Sequence, residues 1–421
     1  MSSLRSISFT CQGESHKAGD KVCQDFSVSK VEPGLAFAIV CDGHGGKRYF
    51  RSDQGSRLCA EVTEKCIRGF VENVDKSLLA GTPFTQVGTA DEEGSKAKTP
   101  TIDKVFRQLF SSIISQWNQA IWQHAESEPL TEKELATVEG KYLDEFSQRK
   151  NMEKFYGCTL MAYVQTPDYW FAFHVGDGKC IAMRLDRPNV WREPIPWDER
   201  CFLNKTTSIC DSSALDEFRY CFQGNGRFPD AIFLGSDGMD DSFGPIENLA
   251  NFYIGVVKEI VKEGVRATQK SIEQTLPELS RRGSQDDMSL AVVFNEQRLK
   301  DGFQNLIDFQ IRQTRDNIAE VDAELDELRA KLQALESKDL SVKNNQIQLD
   351  YARKELAAAT DKRNALYRKV AKLFSEQKPV ISASTYCHPC SRNLSKRQLR
   401  RSLNHSTPQS RKLKLKRKGR K

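Results

Sequence analysis

Three strand-like segments of this 421-residue chain each run straight into an aspartate followed by glycine. AFAIVC ends in Asp42–Gly43–His44–Gly45–Gly46, FAFHVG in Asp177–Gly178 and AIFLGS in Asp237–Gly238. A fourth acidic pair, Asp286–Asp287, immediately precedes the strand-like MSLAVVF, and Asp25 follows Cys23–Gln24 near the N-terminus. Any one Asp–Gly after a strand reads as a turn. The set is more restrictive. Carboxylates at the edge of a buried sheet are partly desolvated, and several brought together repel one another unless a cation neutralises them. Oxygen-only donors with no nearby His/Cys cluster favour a hard ion, Mg²⁺ or Mn²⁺. Glycine beside the aspartate lets the backbone approach that ion and offer a carbonyl. Two such ions ~4 Å apart form a hydrolytic centre that activates a bridging water and binds phosphoryl oxygens.

Around these motifs the chain divides into three textures. Residues 1–298 mix short apolar runs with glycine turns, cysteines and aromatics. Strands are predicted at Leu35–Val40, Leu160–Val164, Trp170–Val175, Cys180–Arg184, Ala231–Gly235 and Met288–Phe294. Helices are predicted at Gln54–Phe70, Ile102–Ala125, Thr131–Arg149 and Ile246–Glu263. Strands in short groups with helices inserted between them indicate a layered α+β domain, not a run of regular βαβ units. Residues 81–100 are rich in Gly, Thr, Ser and charge and read as a loop. The second region, 303–375, contains no Gly or Pro. Ile311, Ile318, Val321, Leu325, Leu328, Leu332 and Leu335 follow 3-and-4 spacing, which weakens at 337–341 and resumes from Leu349 to Leu373. Either a long dimeric coiled coil or an antiparallel helical hairpin satisfies it.

The third region, 378–421, holds 14 Lys and Arg and no acidic residue, while the other 377 residues carry 49 basic against 57 acidic side chains. An acidic body therefore carries a basic tail that reads as disordered. Such a tail would be solvated, or would contact a polyanion such as nucleic acid or an anionic membrane surface. No apolar run approaches the ~20 residues of a membrane span, and no secretory signal is expected at the N-terminus. Twelve irregularly spaced cysteines then read as small buried hydrophobes of a cytoplasmic protein. Cys387-His388-Pro389-Cys390 lacks the further ligands a structural zinc requires.

The ordered set CQDF, DGHGG, GCTL, HVGDGK, FLGSDGMDD and GSQDDMSLAVV, spread over about residues 5–296, resembles the metal-dependent protein phosphatases, the type 2C Ser/Thr phosphatases. The resemblance implies a central antiparallel β-sandwich flanked by helices on both sides, with metals in a cleft at one end. It implies that Asp42 bridges two Mn²⁺ or Mg²⁺ ions, that the Gly43 carbonyl binds the second, and that Asp237 and Asp286 hold the first. Asp25 would support the site directly or through water, Asp177 matches the aspartate tied to a weaker third ion, and His44 matches the proposed general acid. Two departures bear on the substrate. Asp20 stands where the family places a phosphate-binding Arg, which leaves His16 or Lys21 as the expected phosphate ligand, and Gln24 stands where Glu is usual. The stretch GESHKAGDKVCQDF is similar to a divergent, largely bacterial branch.

Other residues read as structural: His174 as a core histidine, Asp287 as a supporting residue, Asp240 and Asp241 as caps of the helix after the metal loop, Cys23 and Cys41 as packing. The expected function is hydrolysis of phosphoserine and phosphothreonine in proteins, with the helical region mediating homo-oligomer or partner contacts. The rival is a catalytically weak phosphatase-like binding or scaffold module acting through its helices and tail. A small phosphate ester is a third candidate substrate.

Overall fold

The computed structural model describes residues 3–89, 100–202, 205–337 and 342–377. The strands among them are β1 (Leu4–Cys11), β2 (Phe26–Glu32), β3 (Leu35–Cys41), β4 (Thr85–Val87), β5 (Leu160–Gln165), β6 (Trp170–Val175), β7 (Lys179–Met183), β8 (Trp191–Arg192), β9 (Arg219–Gln223), β10 (Ala231–Gly235) and β11 (Met288–Asn295). They form two antiparallel sheets, ordered β1-β11-β10-β7-β8 and β2-β3-β5-β6-β9-β4.

The strand sequences explain the layering. In LAFAIVC every residue of β3 is buried, so both faces are covered. Its large residues Phe37 and Ile39 pack outward under helices, while Ala36, Ala38 and Val40 face the other sheet. The inter-sheet core repeats this choice of small side chains, with Ala172, Ala182 and Ala291 beside Ile232 and Leu234. Period-2 alternation thus sends one set of β3 side chains under the helices and the other between the sheets, where the alanines make room for Met161, Tyr163 and Trp170. The Thr10–Ser27 hydroxyl pair, 2.8 Å apart, joins the sheets at one edge, and Gln86 Nε2 donates to Pro194 O (2.9 Å) at the other.

The helices are α1 (Glu14–Ala18), α2 (Ser52–Asn73), α3 (Pro100–Ser127), α4 (Glu132–Thr137), α5 (Gly140–Ser147), α6 (Met152–Phe155), α7 (Ala214–Glu217), α8 (Asp237–Asp241), α9 (Ile246–Glu263), α10 (Val265–Arg282), α11 (Glu296–Glu336) and α12 (Lys343–Glu376). α2 and α3 cover the six-stranded sheet through Cys59, Ile67, Phe106, Phe110 and Trp117. α9 and α10 cover the five-stranded sheet through Leu249, Tyr253, Val257, Ile272 and Leu276. The single helix expected over Thr131–Arg149 is two helices, because Val138 and Glu139 are extended between them. Asp240 and Asp241 lie inside α8 instead of capping it; Ser236 holds the N-cap position.

The heptad region is an antiparallel hairpin within one chain. Ile307 and Ile311 meet Leu373, Val321 and Leu325 meet Ala359, and Leu335 meets Leu349 and Ala352. α11 starts directly from β11, and its first turns bury Leu299 and Leu306 in the five-stranded sheet's core. At the return end Glu376 sits 2.6 Å from Lys258 and 3.2 Å from Lys262 of α9. The basic tail, its CxxC, residues 90–99 of the expected loop and 338–341 of the expected break lie outside the described residues. Nine of the ten described cysteines are buried and none is disulfide-bonded. Among the described residues no helix is long and apolar enough to cross a membrane.

Candidate active site

At one end of the two sheets a cavity of about 560 Å³ gathers Asp42, Gly43, Asp237 and Asp286, together with Asp25, Asp177, His16 and His44. Five separate elements deliver the aspartates. Asp42 follows β3, Asp177 lies in the β6–β7 turn, Asp237 opens α8, Asp286 precedes β11, and Asp25 ends the N-terminal segment before β2.

The Asp42 turn is tightly held. Thr159 N donates to Asp42 O at 2.8 Å, Thr159 Oγ1 accepts from Asp42 N at 3.1 Å, and Gly43 N donates to Gln24 O at 3.1 Å. A Cβ on Gly43 would stand 2.4 Å from Gln24 O, and one on Gly238 2.1 Å from Asp287 O. Both positions require glycine on steric grounds. Gln24 supports the same turn: its Nε2 donates to His44 O (3.1 Å) and to Ser52 Oγ. It acts through an amide N–H that glutamate lacks.

Asp287 anchors the N-terminal segment. Its Oδ1 accepts from Gly13 N and its Oδ2 from Gln24 N, each at 2.6 Å, while His16 Nδ1 lies 3.0 Å from Oδ2. Burial would raise its pKa, but His16 and the two amides outweigh burial and hold the carboxyl below the ordinary range. Among the described residues His16, Asp286 and Asp287 are the one trio whose ligand atoms all fall within 4.8 Å of one another. Lys21 is exposed and outside the lining of the cavity; its amide donates to His16 O at 2.9 Å. Asp20 is 94% exposed in a left-handed turn and pairs with Lys133 Nζ at 2.9 Å.

Four other carboxyls of the cavity, Asp25, Asp42, Asp177 and Asp237, resist ionisation. Burial, then the charges of Asp237 and Asp25, pushes Asp42 well above the ordinary range. Burial raises Asp237 to about 6, opposed by a hydrogen bond shared with Asp42. Burial, then the charges of Asp287 and Asp237, holds Asp25 well above the ordinary carboxylate range, and its Oδ2 is buried without a hydrogen-bond partner. Asp177 is raised by burial and partly restored by Thr206. Crowded, desolvated oxygen donors with an orphaned carboxylate atom fit a hard divalent cation, which would hold every one of them ionised.

His44 is fixed from the opposite wall. Its Nε2 lies 2.7 Å from Ser208 Oγ, and the Ser208 hydroxyl itself donates to Cys158 O at 2.9 Å. A proton on His44 Nε2 leaves the Ser208 hydroxyl free to donate to Cys158 O. Tyr49 packs edge-on 4.8 Å away, and burial pushes the imidazole down to about 4, so the ring is neutral at pH 7. Sequence reasoning missed this wall. Lys205, Thr206, Ser208 and Asp211 come from the excursion between β8 and β9, which carries no strand–aspartate pattern. It also missed Asp241, whose charge acts on Asp177 and Asp237. His174 is a core histidine, with Nδ1 3.2 Å from buried Arg219.

Comparison with solved structures finds a bacterial serine phosphatase at 14% identity, covering 69% of this chain and 98% of that one, with a TM-score of 0.41. The Ser/Thr phosphatase Stp1 from Staphylococcus aureus follows at 13% identity, covering 69% and 94% with a TM-score of 0.41. PppA from Pseudomonas aeruginosa is 16% identical, covering 69% and 97% with a TM-score of 0.39. No curated protein matches the sequence. The sequence profile of protein phosphatase 2C, however, matches residues 12–277, well over half of the chain and every segment of the cavity except the Asp286–Asp287 turn. The chain belongs to the protein phosphatase 2C family.

Proposed function

We propose that this protein is a Mn²⁺- or Mg²⁺-dependent phosphatase that removes phosphate from phosphoserine and phosphothreonine of cytoplasmic proteins. The observation that carries the reading is the convergence of Asp25, Asp42, Asp237 and Asp286 in one cleft, with carboxyls at Asp25, Asp42 and Asp237 that only a cation would ionise together. Asp42, the Gly43 carbonyl, Asp237 and Asp286 would hold two ions, with Asp25 in support and Asp177 toward a third. Ions bound there would polarise phosphoryl oxygens and lower the pKa of water.

The chain's own residues supply orientation. Gly43 gives the backbone its approach, Thr159 and Gln24 hold the turn, and Asp287 pins the segment that carries Asp25. His44 lines the cleft and would protonate a departing alkoxide once a substrate dianion has raised its pKa. The basic tail and the hairpin would serve targeting, by polyanion contact or by pairing with a partner or second copy.

The test is hydrolysis of a phosphothreonine peptide by the purified full-length protein, with Mn²⁺ and with EDTA, beside Asp42→Asn. Metal-dependent turnover that the substitution abolishes supports the enzyme. Metal binding by calorimetry without turnover would instead support the binding-module reading, which the neutral His44 and the outward-facing Asp20 favour.

A further inference from the structure

The cavity is lined by seven aspartates, yet the proposed substrate brings a phosphate dianion into it. Cations bound by the carboxylates offset part of that repulsion, and a positive side chain lining the cavity would offset more of it through a charge-assisted hydrogen bond to the phosphate. Apart from His44, whose Nε2 is engaged 2.7 Å from Ser208 Oγ, two lining residues can carry positive charge, His16 and Lys205. His16 is already engaged, 3.0 Å from Asp287 and 3.5 Å from Asp286. Lys154, outside the lining, is held by Asp211 at 2.7 Å. Among the described residues the Lys205 side chain has neither an ion pair nor a hydrogen bond.

Resting on the phosphatase reading, we propose that Lys205 is the phosphate-binding cation of this enzyme, replacing the charge absent at Asp20. Its backbone is anchored while its side chain is free. Lys205 N and O pair with Phe202 O and N at 3.1 and 3.0 Å. On one flank the Cys201 thiol lies 3.4 Å from Gly176 O, and on the other Thr207 Oγ1 accepts from Gly176 N at 3.0 Å. Both flanks are thus tied to the turn that carries Asp177. One residue further on, Ser208 holds His44. The segment that would bind the phosphate is the same one that sets the histidine.

The experiment uses full-length protein with Mn²⁺ and measures two quantities: the Kd of inorganic phosphate by calorimetry and the KM for a phosphothreonine peptide. Lys205→Ala is expected to weaken both by roughly 10- to 100-fold, the loss of one charge-assisted hydrogen bond. kcat should fall less. Lys205→Arg should return both to within about threefold, since a guanidinium also binds phosphate. Lys21→Ala should change neither. Unaltered phosphate affinity and KM in Lys205→Ala, or loss in Lys21→Ala instead, overturns the assignment while a working wild-type enzyme keeps the phosphatase reading. Lys205-dependent phosphate binding without turnover of any peptide supports the assignment and removes the protein-phosphatase reading.

Discussion

Arg51 offers a direct test of how the fold supports the cleft. It precedes α2, its side chain is 4% exposed, and all five of its N–H groups have partners. Nε and Nη2 grip Glu134 at 2.6 and 3.1 Å, Nη1 donates to Glu128 O (2.9 Å) and Tyr156 Oη (3.1 Å), and Nη2 donates to Pro129 O (3.0 Å). Arg51→Met retains an unbranched apolar side chain but loses the guanidinium stacked 4.8 Å from the Phe146 ring centroid and strands Glu134, two carbonyls and a hydroxyl. Removing one partner of a buried pair costs about 3–5 kcal/mol. Glu134 is 16% exposed, so water recovers part of that loss and the lower end, ~3 kcal/mol, is expected. With an unfolding entropy of ~2.1 cal/mol/K per residue over a unit of roughly 300 residues, the melting temperature should fall by about 5 °C. Urea unfolding followed by tryptophan fluorescence reads the same change, because Trp117 Nε1 donates to Gly55 O (3.1 Å) one turn along α2. The sign of the pH dependence follows from Glu134. Burial alone would raise its pKa, but Arg51 outweighs burial and holds it below the ordinary range. A depressed carboxyl contributes stability above its unfolded pKa of ~4.3 and loses it as pH falls through the lower folded value. The gap between wild type and Arg51→Met should therefore narrow below about pH 4. A loss under ~1 kcal/mol, or a gap unchanged down to pH ~3, would refute the idea that Arg51 works through Glu134.

The carboxylate cluster makes metal-free stability pH-dependent in the opposite sense. Asp237 takes up its proton at about 6 when folded but ~3.9 when unfolded, so in EDTA the melting temperature should fall as pH rises between those values. Saturating Mn²⁺ should flatten that slope in a thermal scan, and an equal slope with metal would exclude the cluster as its site. Gln24→Glu, which supplies the acid usual in the family, should lower stability by ~1–3 kcal/mol in denaturant titration because His44 O and Ser52 Oγ lose an N–H donor. A stabilised variant would contradict that account. Leu306→Ala should cost about 2–5 kcal/mol as a core cavity. A chain ending at 296 should melt well below one in which residues 322–362 are replaced by a short turn, and only the latter should keep metal-dependent hydrolysis.

The strands leading into acidic residues were legible because a fully apolar run that stops at an aspartate fits a buried strand end and little else. β1, β2 and β9 were not. LRSISFTC and FSVSKVE are only partly buried and interleave polar residues, and RYCFQ buries a charged Arg219 whose partners, Gly176 O and Pro196 O, come from distant segments. α10 was hidden by Pro277 and by a core face limited to Thr268, Ile272, Leu276 and Ser280. The heptad spacing announced the long helices but not their pairing, since a self-folded seam and a dimeric one read alike. In the site, the strand-end carboxylates could be found from sequence, while the 205–211 wall reaches the cleft only through tertiary contacts.

One more consequence lies in the junction of β11 and α11. Asp286 stands at one end of that strand and a 41-residue helix leaves the other, with Asn295 as both the last strand residue and the helix cap. There is no hinge between them. At 1.5 Å per residue the helix runs about 60 Å, and the buried Leu299 and Leu306 lock its root into the sheet. The hairpin is thus a rigid outrigger with a set bearing: a body fastened to its far end is held at one distance and one angle from the cleft, and a sideways load at that end turns the strand that leads back to Asp286.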